Sequence, residues 1–201
     1  MSKWEDGLSP RIRERLAQAG DLSAEEKQRM KDMEQLDVLV SDYFKGELSG
    51  DDFWQKLNEY KARGSADLLV AAQIKLINTL RLGGVGEEIS KRREGVLAIE
   101  SIKDEQNMPL FEQGFDAIVG LQQQYASEKQ QAYDALRQQV EQDPNLRMQQ
   151  IQQGGQTVRV QLGVEDAIKM NPQYKNFLMQ HEAKYSEAFA QLMNGFKAGI
   201  K

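Results

Sequence analysis

Residues 146–162 read Leu-Arg-Met-Gln-Gln-Ile-Gln-Gln-Gly-Gly-Gln-Thr-Val-Arg-Val-Gln-Leu and separate two long helical patterns. The half from Thr157 to Leu162 alternates polar and apolar residues strictly, which is typical of a strand with one covered face. The pair Gly154-Gly155 favours a tight reversal of the chain. We therefore predict a β-hairpin over residues 146–162.

The register of this hairpin depends on the length of its loop. A loop of three residues pairs Leu146 with Leu162 and Met148 with Val160, so that the apolar residues share one face. A loop of two residues pairs Arg147 with Leu162 and mixes the faces. Because a shift of one residue turns every side chain to the other face, we expect the three-residue loop. An isolated hairpin is marginal in water, so it should lie on helices or meet a partner.

Two long helices are predicted on either side of the hairpin. The run 108–142 has an apolar stripe that becomes less apolar in its middle. Gly114 and Gly120 in this run should let another helix approach closely. The run 172–198 steps by four and three residues in turn, as a heptad seam does. That seam comprises Tyr174, Leu178, His181, Tyr185, Ala188, Leu192 and Gly195 or Phe196. The short connection predicts antiparallel packing, either within one chain or exchanged between two chains.

The first hundred residues read as a series of capped helices. Ser9-Pro10 begins a short one, and Ser23 followed by Glu26 forms a capping box. A run at 65–82 is apolar on most sides, which is typical of a central helix. The polar segment 103–107 before Pro109 marks a boundary. We thus predict a mainly α multi-helix bundle with residues 1–104 as an N-terminal segment. Residues 105–201 form the long helical hairpin with its β-hairpin.

Residues 36–61 contain the motif Tyr-Phe-Lys-Gly-Glu-Leu-Ser-Gly-Asp-Asp-Phe, which starts at Tyr43. The segment resembles a short oligomerisation domain found at the C-terminal ends of many bacterial proteins. It covers about an eighth of this chain, and here it stands near the N-terminus. The resemblance implies a helix pair that supports self-association in a bacterial protein.

Composition excludes several classes of function. A net charge of -5 argues against general nucleic-acid binding and against binding to anionic membranes. The 201 residues include no cysteine and one histidine, so a thiolate nucleophile or a histidine-rich metal site is not expected. The first residues contain no apolar h-region, so a secretory signal is not expected, and no window is apolar enough to predict a membrane span. We expect a cytoplasmic protein with no cofactor and no metal.

The chemical candidates have simpler structural explanations. The loop Gly83–Gly86 resembles a phosphate cradle, but no P-loop lysine follows, and Glu87 and Glu88 would repel an anion. His181 lies on the seam without a sequence neighbour that suggests catalysis, so a structural, hydrogen-bonded histidine is expected. The 14 glutamines between residues 122 and 161 form either a plain polar surface or a recognition face.

The sequence therefore predicts a non-enzymatic helical scaffold or protein–protein interaction module, homo-oligomeric or bound to another protein. The residues expected at the interface are Tyr174, Leu178, His181, Tyr185, Leu192, Phe196, Val158, Val160 and Leu162. One alternative is a holdase chaperone, since two long helices joined through a β-hairpin resemble prefoldin in outline. Another is a helical bundle that binds a small molecule in a pocket among Phe111, Phe115, Tyr174 and Tyr185.

Overall fold

A computed structural model describes residues 23–84, 86–153 and 156–200. The short helix predicted from Ser9-Pro10 and the Gly154-Gly155 turn lie outside these residues. The predicted fold class, mainly α with one β-hairpin, is confirmed. The described helices are α1 (Ala24–Lys45), α2 (Gly50–Ala62), α3 (Ala66–Asn78), α4 (Gly86–Ile102), α5 (Met108–Gln142), α6 (Val164–Met170) and α7 (Pro172–Ala198). A 3₁₀ turn (Pro144–Arg147) leads into the strands β1 (Met148–Gln153) and β2 (Gln156–Gln161).

Helix ends follow the capping signals of the sequence. The Ser23 hydroxyl accepts a hydrogen bond from the Glu26 amide at 3.2 Å, and the Glu26 carboxylate accepts one from the Ser23 amide at 2.8 Å. The predicted capping box is therefore confirmed. Helix α1 ends at Gly46, whose φ of 79° is the left-handed conformation that glycine adopts without strain. Asn171 caps α7 by accepting from the amides of Gln173 and Tyr174.

The chain forms two compact units. Among the described residues, one contains 23–79, 91–108 and 200, and the other contains 80–90 and 109–199. The break near Pro109 lies four residues beyond the predicted end of the first segment. The first residues of α4 therefore belong to the second unit, and the remainder belongs to the first.

In the first unit, α1, α2 and α3 pack on one another, and α4 contributes its C-terminal part. The fully buried core residues include Leu36, Phe53, Leu57, Leu76 and Ile99. Helix α3 buries most of its apolar residues, as expected of a central helix, although Ile74 stays 36% exposed. Its Gln73 is buried as well and donates to the carboxylate of Glu100 at 2.7 Å.

In the second unit, α5 and α7 lie antiparallel. Phe115 of α5 meets Phe196 of α7 with ring centroids 5.0 Å apart, and further along α5 the Tyr133 ring lies 6.2 Å from Tyr174. The helical hairpin thus closes within one chain. The 35 residues of α5 span ~52 Å, and its far end reaches the strands through the 3₁₀ turn.

The register of the β-hairpin differs from the prediction by one residue. Gln153 pairs with Gln156 and Gln149 with Val160, which leaves two residues in the loop instead of three. The expected pairing failed because Leu146 lies in the 3₁₀ turn and is 47% exposed, so it takes no part in the ladder. The Leu162 amide instead donates to the carbonyl of Arg147 at 2.8 Å. Two-residue loops also suit the twist of hairpin strands.

Candidate functional site

The hairpin has one face that is covered at its base and bare further out. Val158, Val160 and Leu162 share this face because side chains alternate along a strand. Leu162 packs against a small core of Val140, Ala167 and Ile168. Val160 is half-buried, whereas Val158 is 40% exposed. We call Val158, Val160 and Leu162 the valine face; it is anchored at one end and uncovered at the other.

The opposite face of the hairpin is polar and exposed. Its described residues are Met148, Gln150, Gln152, Thr157, Arg159 and Gln161, of which Met148 is 45% exposed. No third strand pairs with the hairpin among the residues that the structure describes. Both strands therefore keep one open edge of backbone N–H and C=O groups.

His181 lies in an aromatic cluster between α5 and α7. Its ring is 4.8 Å from Tyr125, 4.6 Å from Tyr185 and 5.2 Å from Phe177, measured between centroids. The imidazole is 5% exposed, and its Nε2 makes no hydrogen bond to another described residue. The Glu128 carboxylate is 3.6 Å from Nε2. The histidine is thus held by ring packing, and the predicted hydrogen bond is not seen at Nε2.

Glu128 is the charged member of this cluster that sequence reasoning missed. It stands 53 positions before His181, and only the antiparallel pairing of α5 and α7 brings the two together. The Tyr185 hydroxyl, followed by the Lys184 ammonium at 3.3 Å, lowers the pKa of Glu128. The carboxylate in turn raises the pKa of Lys184. A neighbouring pair joins the same helices, since the Tyr125 hydroxyl donates to Glu182 at 2.6 Å.

A groove of about 490 Å³ runs along α5 beside this cluster. Its walls include the rings of Tyr125, Tyr133 and Tyr174 and the loop at Gly83 and Gly84. The Gln122 side-chain amide donates to the carbonyl of Arg81 at 2.6 Å, which holds this loop on α5. The loop predicted as a helix stop and turn thus forms one wall of the groove.

The Lys129 ammonium also lines this groove, 5.7 Å from the centre of the Tyr125 ring. Within the described chain it has no ion pair. The Tyr133 hydroxyl donates to Glu165 at 2.5 Å, so two of the three rings are fixed by hydrogen bonds to carboxylates. Hydrogen bonds therefore fix the orientation of two tyrosine rings in the groove wall, and the Lys129 ammonium lies beside them.

The predicted interface residues fall into two groups. His181, Tyr185 and Phe196 are buried inside the chain, and Tyr174, Leu178 and Leu192 are half-buried. Of the valine face, Val160 and Leu162 are half-buried as well, and Val158 is exposed. Leu192 and Phe196 also line an apolar groove of about 610 Å³ with Leu110 and Ala188.

The pocket predicted among four aromatic residues does not form. Phe111 and Phe115 pack on Phe196, with centroids 5.4 and 5.0 Å apart. Tyr185 belongs to the His181 cluster, and Tyr174 stacks near Tyr133 and Phe177. The four rings therefore lie in separate clusters.

Two further properties of the described residues bear on chemistry and location. They contain no group of three or more acidic or histidine side chains placed to hold a metal ion. None of their helices combines the length and the hydropathy that crossing a membrane requires.

Fold and site together define a mainly helical protein whose antiparallel α5–α7 pair carries a projecting β-hairpin. The chain belongs to a family of unknown function, DUF6657, whose profile matches residues 54–201. No curated protein and no solved structure matches it. The family match includes the whole helical pair and the hairpin.

Proposed function

We propose that this protein is a non-enzymatic interaction module that associates with a second copy of itself through its β-hairpin. The observation that supports this is the exposure along the valine face, where Leu162 is anchored on the core and Val158 is 40% exposed. Burying a Val or Leu side chain yields ~1.5–3 kcal/mol relative to leaving it in water. An uncovered valine on a two-stranded sheet is therefore a favourable place for a partner.

The α7 seam has a different role in this proposal. Its residues His181, Tyr185 and Phe196 already contact α5 in the same chain, so they hold the helical pair together. Association through the hairpin leaves that packing intact. The helical pair then acts as a rigid support that presents the hairpin.

Sedimentation velocity over a range of concentrations tests the proposal. We expect the wild-type protein to associate, and we expect Val158→Lys to weaken association because a lysine charge would be buried against the partner. Thr157→Lys is the matched control, since it adds the same charge one position away on the exposed polar face. A wild-type protein that stays monomeric at every concentration would refute self-association. Equal weakening by both variants would show that the valine face is not the contact.

A second candidate function, binding of a small molecule, is favoured by the groove beside α5. Ligand sites measure ~300–1,000 Å³ and combine apolar walls with a few placed polar groups. The groove, at about 490 Å³, offers three tyrosine rings and the Lys129 ammonium. A small aromatic anion fits this chemistry, with its ring on the tyrosines and its charge at Lys129.

Titration calorimetry with benzoate and its neutral counterpart benzamide tests this second candidate. We expect benzoate to bind more tightly, and we expect Lys129→Gln to remove the difference between the two probes. Lys169→Gln, which changes an exposed lysine on α6 away from the groove, should leave it unchanged. Equal affinities of the two probes for the wild-type protein would rule out recognition of the anion by Lys129.

A further inference from the structure

We propose that the groove beside α5 selects an aromatic carboxylate whose ring bears a hydroxyl or amino group, and that this group donates a hydrogen bond to the Tyr133 hydroxyl oxygen. This inference rests on the second candidate function, binding of a small aromatic anion, and adds the substituent that the ligand must carry. It follows from the hydrogen bonds that the side chains of the groove already make within the chain.

One polar side chain of the groove offers a ligand only hydrogen-bond donors. The Lys129 ammonium carries three N–H groups and no acceptor, and within the described chain it makes no ion pair. The side-chain amides of Gln122 and Gln130 can both donate and accept, so they favour neither kind of ligand group. The Lys129 ammonium therefore determines where the negative charge of the ligand lies.

Two tyrosine hydroxyls of the groove already use their single proton within the chain. Tyr125 donates to Glu182 at 2.6 Å, and Tyr133 donates to Glu165 at 2.5 Å. In both cases this hydrogen bond is the main cause that raises the pKa of the tyrosine, so the proton stays on the phenol oxygen. Because a hydroxyl has one proton and two lone pairs, these two oxygens can only accept hydrogen bonds from a ligand.

The hydrogen bond to Glu165 also makes the Tyr133 oxygen a better acceptor. Linked hydrogen bonds polarise one another, so an oxygen whose proton is held by a negative charge becomes richer in electron density. The charge of the carboxylate behind the oxygen likewise attracts a hydrogen atom with partial positive charge. A ligand O–H or N–H group is therefore favoured at Tyr133, whereas an ether oxygen in the same place meets no donor.

Tyr133 is better placed than Tyr125 to receive this donor. The Tyr125 ring already contacts His181, whose centroid is 4.8 Å away, and the Lys129 ammonium at 5.7 Å. Among the described residues Tyr133 makes one ring contact, with Tyr174 at 6.2 Å, which also lines the groove. Lys129 and Tyr133 are four residues apart on α5, so their Cβ atoms lie ~5–6 Å apart on one face of the helix. A single benzene ring can bridge side chains at this spacing, with its carboxylate at Lys129 and its donor at Tyr133.

Titration calorimetry with matched ligands provides the first test. The meta and para isomers of hydroxybenzoate carry the donor, and the corresponding methoxybenzoates replace its proton by a methyl group. One hydrogen bond corresponds to ~2–10-fold in affinity, so we expect a hydroxybenzoate to bind more tightly than its methoxy counterpart by that factor. It should also bind more tightly than benzoate, which excludes a steric effect of the methyl group. If neither hydroxybenzoate binds more tightly than both benzoate and its methoxy counterpart, the inference is overturned.

Two substitutions test whether Tyr133 and Glu165 make this distinction. Tyr133→Phe keeps the ring and removes the acceptor, so hydroxybenzoate should lose its advantage over methoxybenzoate while benzoate binds as before. Glu165→Met leaves the Tyr133 hydroxyl free to donate, so the preference for hydroxybenzoate should fall as well. Asp166→Met is the matched control, since it removes the neighbouring carboxylate of α6, which lies beside Gly163, and it should keep the preference. A preference that both Tyr133→Phe and Glu165→Met retain would overturn the inference.

The outcomes separate this inference from the second candidate function. Equal affinities of the wild-type protein for benzoate and benzamide remove the anion site at Lys129, and this inference falls with it. A groove that prefers benzoate to benzamide but does not distinguish hydroxybenzoate from methoxybenzoate keeps the anion site and removes only the donor to Tyr133.

Discussion

Gly114 of α5 lies against the ring of Phe196 of α7, so close that a Cβ atom on Gly114 would stand 2.5 Å from Cε2 of that ring. Gly120 lies on the same helix, and a Cβ there would have no atom within 4 Å. The two glycines therefore differ in function. One permits the close approach of α5 and α7, and the other only lowers the helix propensity of α5.

The first prediction compares alanine at these two positions. Gly114→Ala should lower the free energy of unfolding by about 1–3 kcal/mol, because Phe196 is buried and must move to make room. Gly120→Ala should raise it by up to ~1 kcal/mol through better helix propensity. Urea denaturation of the purified variants measures both changes. Destabilisation of similar size at both positions would contradict the contact with Phe196.

Gly114 and Gly120 show which features of the helical pair can be predicted from the sequence and which cannot. Periodicity identified α5 and α7, because an apolar stripe reports which side of a helix is covered, and the short connection between them predicted their antiparallel pairing. It could not distinguish Gly114 from Gly120, since the difference depends on where one ring of α7 lies. Likewise the Glu128–His181 proximity joins positions far apart in the chain, and no local spacing reports it.

The hairpin illustrates a different limit. Alternation of Val158, Val160 and Leu162 correctly identified a strand with one apolar face. The register was wrong because Leu146 was counted as a strand residue, whereas Asp143 and Pro144 begin a 3₁₀ turn that includes it. At Leu146 the backbone conformation is therefore set by the turn that Asp143 and Pro144 begin, and the apolar pattern does not determine it.

The second prediction concerns alkaline pH and Tyr125. The hydrogen bond to Glu182 is the main cause that raises the pKa of Tyr125 to about 12, from its ordinary value near 10. A group whose folded pKa is raised stabilises the fold fully below its unfolded pKa. This contribution is therefore present below pH 10 and is lost as the pH rises through about 12.

Glu182→Gln tests this interaction without removing a tyrosine. The variant should shift part of the tyrosinate absorbance titration toward lower pH, and its unfolding free energy should fall less steeply between pH 10 and about 12. Glu187→Gln, on the same helix and hydrogen-bonded to Gln191, is the control and should titrate as the wild type does. An unchanged titration in Glu182→Gln would show that the Glu182 carboxylate does not raise the pKa of Tyr125.

The third prediction concerns a buried ion pair in the first unit. The Glu100 side chain is 2% exposed, its Oε2 lies 3.3 Å from the Lys103 ammonium, and its Oε1 accepts from the Asn107 amide at 2.6 Å. Lys103→Met would leave a buried carboxylate without its cation, which costs ~3–5 kcal/mol. We expect a loss of that order in urea denaturation.

A double variant provides the control for this ion pair. Lys103→Met combined with Glu100→Gln removes both charges and keeps one acceptor oxygen, so that one of the two donors, the Gln73 side chain or the Asn107 amide, keeps its partner. Because replacing both members of a buried pair costs less than breaking it, the double variant should recover stability relative to Lys103→Met alone. Additive losses in the double variant would show that the two side chains do not interact.

The fourth prediction concerns the anchor of the hairpin. Leu162 packs on the core of Val140, Ala167 and Ile168, so Leu162→Ala should loosen the hairpin where it joins the helices. A fully buried Leu→Ala change costs ~2–5 kcal/mol, and because Leu162 is only half-buried we expect a smaller loss of about 1–2 kcal/mol. Amide exchange in β2 should then accelerate while exchange in the middle of α5 stays unchanged, because the rings of Tyr125 and His181 hold that region independently.

Met148→Ala is the matched control; its side chain is 45% exposed on the polar face, so its effect should stay within ~0.5 kcal/mol. Equal exchange rates in Leu162→Ala and Met148→Ala would show that the base of the valine face does not anchor the hairpin.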